Sequence, residues 1–229
     1  MTTTHYTRAE LARLIDHTIL RPEARASDVA RLCDEGLEHG FCSVCVNPWW
    51  VPECVRRVGG SPVRVCTVAG FPLGATTPEQ KACEARLAVA AGATEIDMVA
   101  NIGALRDGQR DVVVRDIAGV VDAAKSANPD ALVKVIVETR ALTEPEIILA
   151  CRCVAEAQAD FIKTSTGFHP AGGATAEHVA FLKRHIAPIR VKASGGIRDL
   201  SSALAMLEAG ADRLGTSSGV AILAELEKR

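Results

Sequence analysis

The chain has 229 residues, 48% of them apolar and 24% charged, with a net charge of -2 at pH 7. That is ordinary globular composition, with no basic field to draw in nucleic acid or anionic lipid. No apolar run approaches the ~20 residues a membrane helix needs, and the first residues carry no charged-then-apolar leader, so a cytoplasmic protein is expected.

Thr7 and Glu10 fit a capping box ahead of a short helix over Ala9–Leu14. The apolar run Leu14–Leu20 follows, carrying Asp16, His17 and Thr18. A second helix starts at Ser27, buries Val29, Leu32 and Leu37 at helical spacing, and stops at Gly40. From here strand-like and helix-like segments alternate. Cys42–Val46 precedes a helix over Trp49–Val58, and Val63–Ala69 runs into the loop Gly70–Gly74. Thr77-Pro78 opens an Ala-rich helix that ends at Gly92. Thr94–Ala100 precedes one long helix over 107–126, and Ala131–Glu138 precedes a helix capped by Thr143 and Glu146 that ends near Gln158. Asp160–Gly167 leads through a glycine-rich loop to a helix over Ala176–His185. Ile189–Gly196 precedes a helix capped by Asp199, and Ala211–Gly215 precedes a last helix opened by Ser217-Ser218-Gly219.

The strands read as continuous apolar runs, so both faces are buried and a parallel sheet with outer helices is expected. Eight such units in about 215 residues suit an α/β fold, a closed (βα)8 barrel with one extra N-terminal helix. An open doubly wound sheet is the alternative, but no G-x-G-x-x-G turn follows the first strand. No linker or composition shift divides residues 1–229, so one domain is expected.

Eight cysteines raise the question of disulfides or metal. Reduced, buried thiols are expected in a chain of this length without a leader. Cys42 and Cys45 form a C-x-x-C pair, but Cys151-Arg-Cys153 is not the second pair that a zinc site wants, so no metal is expected.

Active sites of such barrels lie at the C-terminal ends of the strands. Asp16, Asp97, Lys134, Lys163 and Lys192 all fall within proposed strands, where an isolated charge is costly. Five converging charges suggest one compensating cluster. Glu95 and Glu138 read as capping or pairing groups at strand ends, and His17, His169 and His178 as surface or support residues. The loop Phe168–Gly173 reads as a connection or mobile lid. Ser194-Gly195-Gly196 and Gly215-Thr-Ser-Ser-Gly219 place glycines, and then a helix N-terminus, where barrels commonly hold a phosphate.

Lys163 and Lys192 lie on consecutive strands. A nearby second ammonium and desolvation both favour a neutral, nucleophilic amine. Such a pair suits imine formation with a carbonyl substrate, with Asp97 moving protons. A phosphate-binding isomerase or transferase on the same barrel, and a non-catalytic sugar-phosphate sensor, remain alternatives.

Seven segments then resemble one family, the deoxyribose-phosphate aldolases. They are Asp16-His-Thr18, Cys45-Val-Asn-Pro48, Val68–Gly74, Glu95-Ile-Asp97-Met-Val99, Lys134–Thr139, Phe161–Gly167 and Val191–Arg198, in order over nearly the whole chain. The resemblance implies a cofactor-free class I aldolase. Such an enzyme interconverts 2-deoxy-D-ribose 5-phosphate with D-glyceraldehyde 3-phosphate and acetaldehyde. Lys163 matches the Schiff-base lysine, Lys192 the lysine that perturbs it, and Asp97 the acid/base aspartate. Gly195, Gly196, Ser217 and Ser218 match positions near the phosphate, and Thr166 one close to the substrate. Lys134 matches a supporting lysine, and Asp16 and Thr18 match positions lining the mouth. Some members carry a tail tyrosine that helps protonate the enamine. Here the only tyrosine is Tyr6, so that step is expected to rest on Asp97, Lys192 and water. The tandem Trp49 and Trp50 suggest an apolar subunit contact, and a homodimer or higher homo-oligomer is expected.

Overall fold

A computed structural model describes residues 6–228. Its strands are β1 (Ile15–Ile19), β2 (Ser43–Val46), β3 (Arg64–Ala69), β4 (Glu95–Val99), β5 (Leu132–Ile136), β6 (Phe161–Lys163), β7 (Arg190–Ser194) and β8 (Arg213–Thr216). All pair in parallel, and β8 returns to β1, so the sheet closes into a barrel in chain order. A helix α1 (Arg8–Ala12) precedes β1. The outer ring holds α2 (Ala26–His39), α3 (Val51–Val58), α4 (Pro78–Ala90), α5 (Ile102–Arg106) and α6 (Arg110–Ala127). It continues with α7 (Glu144–Glu156), α8 (Ala176–Ile186), α9 (Leu200–Glu208) and α10 (Gly219–Leu226). No helix among the described residues is long and apolar enough to cross a membrane.

Local chemistry fixes most helix ends. The Thr7/Glu10 and Thr143/Glu146 capping boxes form, Thr77 accepts from Gln80 N, and Asp199 accepts from Ser202 N. Three details depart from the sequence reading. Arg25, not Ser27, occupies the cap of α2, because the Asp28 carboxylate accepts the Arg25 backbone N–H at 3.0 Å. The long helix expected over 107–126 is α6, which starts three residues later at Arg110, and a separate short helix α5 precedes it; Gly108, with φ +68°, turns the chain between the two. Pro48–Trp50 forms a 3-10 turn before α3 rather than its first turn.

Two cores result. Outward strand residues such as Ile96, Val133, Ile162, Val191 and Leu214 pack against helix residues such as Ile117, Ile147, Leu182 and Ala203. Each fully buried aliphatic side chain of this kind contributes about 1.5–3 kcal/mol. Between α4 and α6 a buried Lys81 Nζ meets Asp116 Oδ2 at 2.6 Å, and the same oxygen accepts from Asn101 N at 3.2 Å. A smaller apolar cluster of Leu20, Cys45, Cys66 and Val68, with Phe71 against it, lies apart from the main core.

Side-chain parity then decides what faces the barrel axis. Register partners on neighbouring strands share a face. Asp97 pairs with Lys134, Lys163 with Lys192, and Lys192 with Arg213. The charges spread through the sequence therefore converge on one interior.

Candidate active site

Lys163 is the last residue of β6, 3% exposed, and its Nζ lies 2.7 Å from Asp97 Oδ2. Lys192, fully buried on β7, reaches the same oxygen at 2.7 Å and Asp16 Oδ2 at 2.5 Å. Lys134, fully buried on β5, contacts Asp97 Oδ1 at 2.8 Å and Glu95 Oε2 at 2.6 Å. Arg213 bridges Asp16 and Glu95 beneath them. Gly215 makes room for this. A Cβ there would lie 3.1 Å from Lys192 Cε and 2.9 Å from Ser194 Cβ.

Repulsion between the two lysines is only part of the balance, because the Asp97 carboxylate stands between them. Two ammonium groups about 5 Å apart repel by roughly 3 kcal/mol at an effective dielectric near 20, and a carboxylate in direct contact attracts each by about twice that. The shared carboxylate therefore outweighs the mutual crowding. What remains is a count of charge. Four buried cations (Lys134, Lys163, Lys192, Arg213) face three buried carboxylates (Asp16, Glu95, Asp97), so the cluster holds one proton more than its anions balance. Lys163 touches one carboxylate, while Lys192 and Arg213 each touch two and Lys134 reaches all three.

Protonation in the cluster follows its contacts. Burial alone would push Asp97 up, but Lys134, Lys163 and Lys192 together hold its carboxyl well below the usual carboxylate range. Burial opposes ionisation of Asp16 as well, and Lys192 and Arg213 override it downwards. Burial works against the charge of Lys192, yet Asp16 and Asp97 raise it above an ordinary lysine.

A cavity of about 320 Å³ opens over this cluster. Thr18, Lys163, Thr166, Gly195, Gly196 and Ser217 line it, with Arg21 and Arg198 at its edge. Three of the side-chain hydroxyls that line it are turned one way. Thr18 Oγ1 donates to Asp16 O, Thr216 Oγ1 to Ile197 O and Ser194 Oγ to Ser165 O. A hydroxyl that has donated its single proton presents only lone pairs. The glycine loop Gly195-Gly196, with Ser217 just ahead of α10 beside it, provides the opposite chemistry, backbone donors suited to an anion. Gly195 has φ +84°, and Gly173 approaches so closely that a Cβ there would lie 2.1 Å from Gly195 O. The loop Phe168–Gly173 is thereby tied down, since Ala174 N donates to Ser194 O and Gly195 O, both at 3.0 Å.

Several expectations need correction in place. Asp16 does not line the mouth. It is fully buried two residues before Thr18 on β1, bonded by Ser43 Oγ at 2.7 Å. Lys134 is not among the residues lining the cavity, and neither is Ser218, whose N–H is taken by Thr216 Oγ1 at 2.9 Å. Glu95 does sit at a strand start, but inside the barrel rather than at its rim. Arg213 was missed. Its spacing from Gly215 on a strand was the available signal, since residues two apart share a face. The histidines hold structure: His17 Nε2 meets Glu35 Oε2 at 2.6 Å, and His178 Nδ1 meets Thr139 Oγ1 at 3.0 Å.

One trio has ligand-type atoms, Cys45 Sγ, Cys66 Sγ and an Asp97 oxygen, all within 4.8 Å of one another. Lys134 already contacts Cys66 Sγ at 3.4 Å and Asp97 at 2.8 Å. A cation here would meet three ammonium groups, which the surplus positive charge disfavours.

Known proteins resemble this chain in sequence and in fold. The profile of the DeoC/LacD family aldolases matches residues 11–225. The chain is 54% identical over 214 residues to the deoxyribose-phosphate aldolase of Geobacillus sp. (strain WCH70), covering 93% of this chain and 94% of that protein. It is 54% identical over 215 residues to that of Carboxydothermus hydrogenoformans, covering 93% and 94%. Among solved structures, the tetrameric deoxyribose phosphate aldolase of Aeropyrum pernix superposes with a TM-score of 0.89 at 35% identity, covering 96% of this chain and 92% of that one.

Proposed function

The chain belongs to the DeoC/LacD aldolase family and is a lyase, and we propose that it reversibly cleaves 2-deoxy-D-ribose 5-phosphate to D-glyceraldehyde 3-phosphate and acetaldehyde. The observation that carries this reading is the position of Lys163. Of the lysines in the cluster, it alone lines the cavity.

The open-chain aldehyde condenses with the neutral Lys163 amine, and water leaves to form a protonated imine. That cation takes the place of the ammonium that now lies 2.7 Å from Asp97 Oδ2, so the carboxylate keeps a positive partner. A base removes the C3 hydroxyl proton, the C2–C3 bond breaks, and the electron pair moves into the imine to give an enamine. Glyceraldehyde 3-phosphate leaves. Protonation of the enamine carbon and addition of water release acetaldehyde and the free amine. Asp97 acts here as a permanent anion. Its depressed carboxyl holds the water that carries the proton from the C3 hydroxyl to the enamine carbon. Lys192 holds Asp97 and Asp16 in place and keeps positive charge beside the imine.

The rest of the cavity fits such a substrate. Gly195, Gly196 and Ser217, with Arg21 and Arg198, form the anion end. Thr18 and Thr166 present lone pairs to hydroxyl groups between that end and Lys163. Ser218 supports this end through Thr216 rather than by its own N–H. Lys134 and Asp16 act from beneath by fixing Asp97 and Lys192. An exposed apolar face of Trp49, Pro52 and Leu87 suits contact with a second copy of the chain, in line with the tetrameric relative.

The test is acetaldehyde release from 2-deoxyribose 5-phosphate, assayed beside other phosphorylated sugars. Release from the deoxy sugar alone is expected. Saturable binding without release would favour a sensor, and turnover of another sugar phosphate would favour an isomerase or transferase.

A further inference from the structure

We propose that Glu138 sets the hydrogen-bonding polarity of Thr166, and so makes the cavity prefer acceptor aldehydes that carry a hydroxyl beside the carbonyl. The inference rests on the aldolase reading above.

Glu138 follows β5 and is 4% exposed. Its backbone is left-handed, φ 53° and ψ 60°, a conformation that non-glycine residues rarely hold without support. The support is on either side. Val137 N donates to Lys163 O at 3.1 Å, and Thr139 N donates to Thr164 O at 2.9 Å. Glu138 is thus clamped against the segment that carries Lys163.

The strained backbone delivers both carboxylate oxygens to one residue. Oε1 accepts from Thr166 N at 2.9 Å, and Oε2 accepts from Thr166 Oγ1 at 2.6 Å. A hydroxyl has one proton and two lone pairs. The Thr166 proton goes to Glu138, and one lone pair accepts from Phe168 N at 3.1 Å. A single lone pair is left, on a side chain that lines the cavity. Thr166 can therefore only accept. An aldehyde or phosphate oxygen offers it nothing, whereas a substrate hydroxyl does. Glu138 is the positioning residue behind this choice, since a carboxylate has no proton to give back.

Glu138→Gln tests the polarity at nearly constant shape. The fixed N–H of Thr166 demands the amide oxygen, so the amide NH2 must face Oγ1 and donate to it. The Thr166 proton then turns into the cavity, and the acceptor becomes a donor. The measurement is kcat/KM for acetaldehyde addition to D-glyceraldehyde 3-phosphate, divided by that for its 2-O-methyl ether, whose oxygen can accept a hydrogen bond but not donate one. Glu138→Gln should lower this ratio about tenfold, the worth of one such hydrogen bond. Thr166→Val should lower it as much, and the double variant no further. An unchanged ratio in Glu138→Gln, including equal losses on both aldehydes, would overturn the inference and leave Glu138 a loop support. Should Glu138→Gln not fold, an unchanged ratio in Thr166→Val would overturn it equally. Absence of any aldol addition by the unaltered protein would instead overturn the aldolase reading, and this inference with it.

Discussion

Lys163 and Lys192 occupy register-paired positions on β6 and β7, and both reach one oxygen, Asp97 Oδ2, at 2.7 Å. Their nitrogens can be no farther apart than twice that distance. The pair is thus a triad with a carboxylate at its centre, and its behaviour depends on Asp97 as much as on either lysine.

Asp97→Asn should therefore damage both chemistry and fold. Three ammonium groups lose their common anion, and breaking buried pairs of this kind costs about 3–5 kcal/mol. Turnover should fall by roughly 10²–10⁴, the usual worth of a proton-transfer group. Acetaldehyde release and urea titration of the same preparation measure the two effects. A variant with ordinary stability and near-normal turnover would show that the cluster does not depend on this carboxylate.

Gly215→Ala probes the same triad sterically. The added methyl would press on Lys192 Cε and Ser194 Cβ. Overpacking of this sort costs about 1–3 kcal/mol. Turnover should fall more than a thermal melt would suggest, because the displaced group is Lys192. Full activity in a stable variant would indicate that the position of Lys192 is not critical.

Acid should unfold the protein through this cluster. Asp16, Glu95 and Asp97 all have carboxyls held below the ordinary range, although burial alone opposes it. The sign follows directly. Depressed groups stabilise the fold fully above the unfolded carboxylate pKa near ~4, and that stability is lost as pH falls below it. The loss is roughly 1–2 kcal/mol per pH unit for each proton taken up on unfolding. Urea melts at pH 5, 4 and 3 should show stability falling more steeply at each step. Equal stability at all three would contradict these shifts.

Lys81→Met should weaken the helix layer without touching the cavity. It leaves Asp116 buried beside Asn101 N with its cation gone. The expected loss is about 3–5 kcal/mol in urea titration. Lys81→Met combined with Asp116→Leu should recover much of it, since an apolar pair leaves no uncompensated charge. Failure of the second change to help would mean the cost lies in packing.

Much of the fold was legible because each strand is a buried apolar run between clear helix caps, as in Ser43–Val46 and the Thr77-Pro78 start. The positions of Lys163 and Lys192 were legible for the same reason, since a lysine inside such a run needs an account. Height within the barrel was not. Parity places Asp16 and Thr18 on the same face, but the stagger of the strands, which no single strand encodes, decides that Thr18 reaches the cavity and Asp16 lies beneath it. Arg213 was passed over, and Glu95 read only as a capping or pairing group at a strand end, for a related reason. Each sits at the first position of its strand, where a charge reads as solvated until the register shows it facing inward.

The most direct measurement is reductive trapping. The protein is incubated with acetaldehyde and borohydride, then digested and mapped by mass. The account predicts one added ethyl group, on the peptide carrying Lys163, and no such label in Lys163→Met. Label on Lys134 or Lys192 instead, or none at all on the unaltered protein, would contradict it.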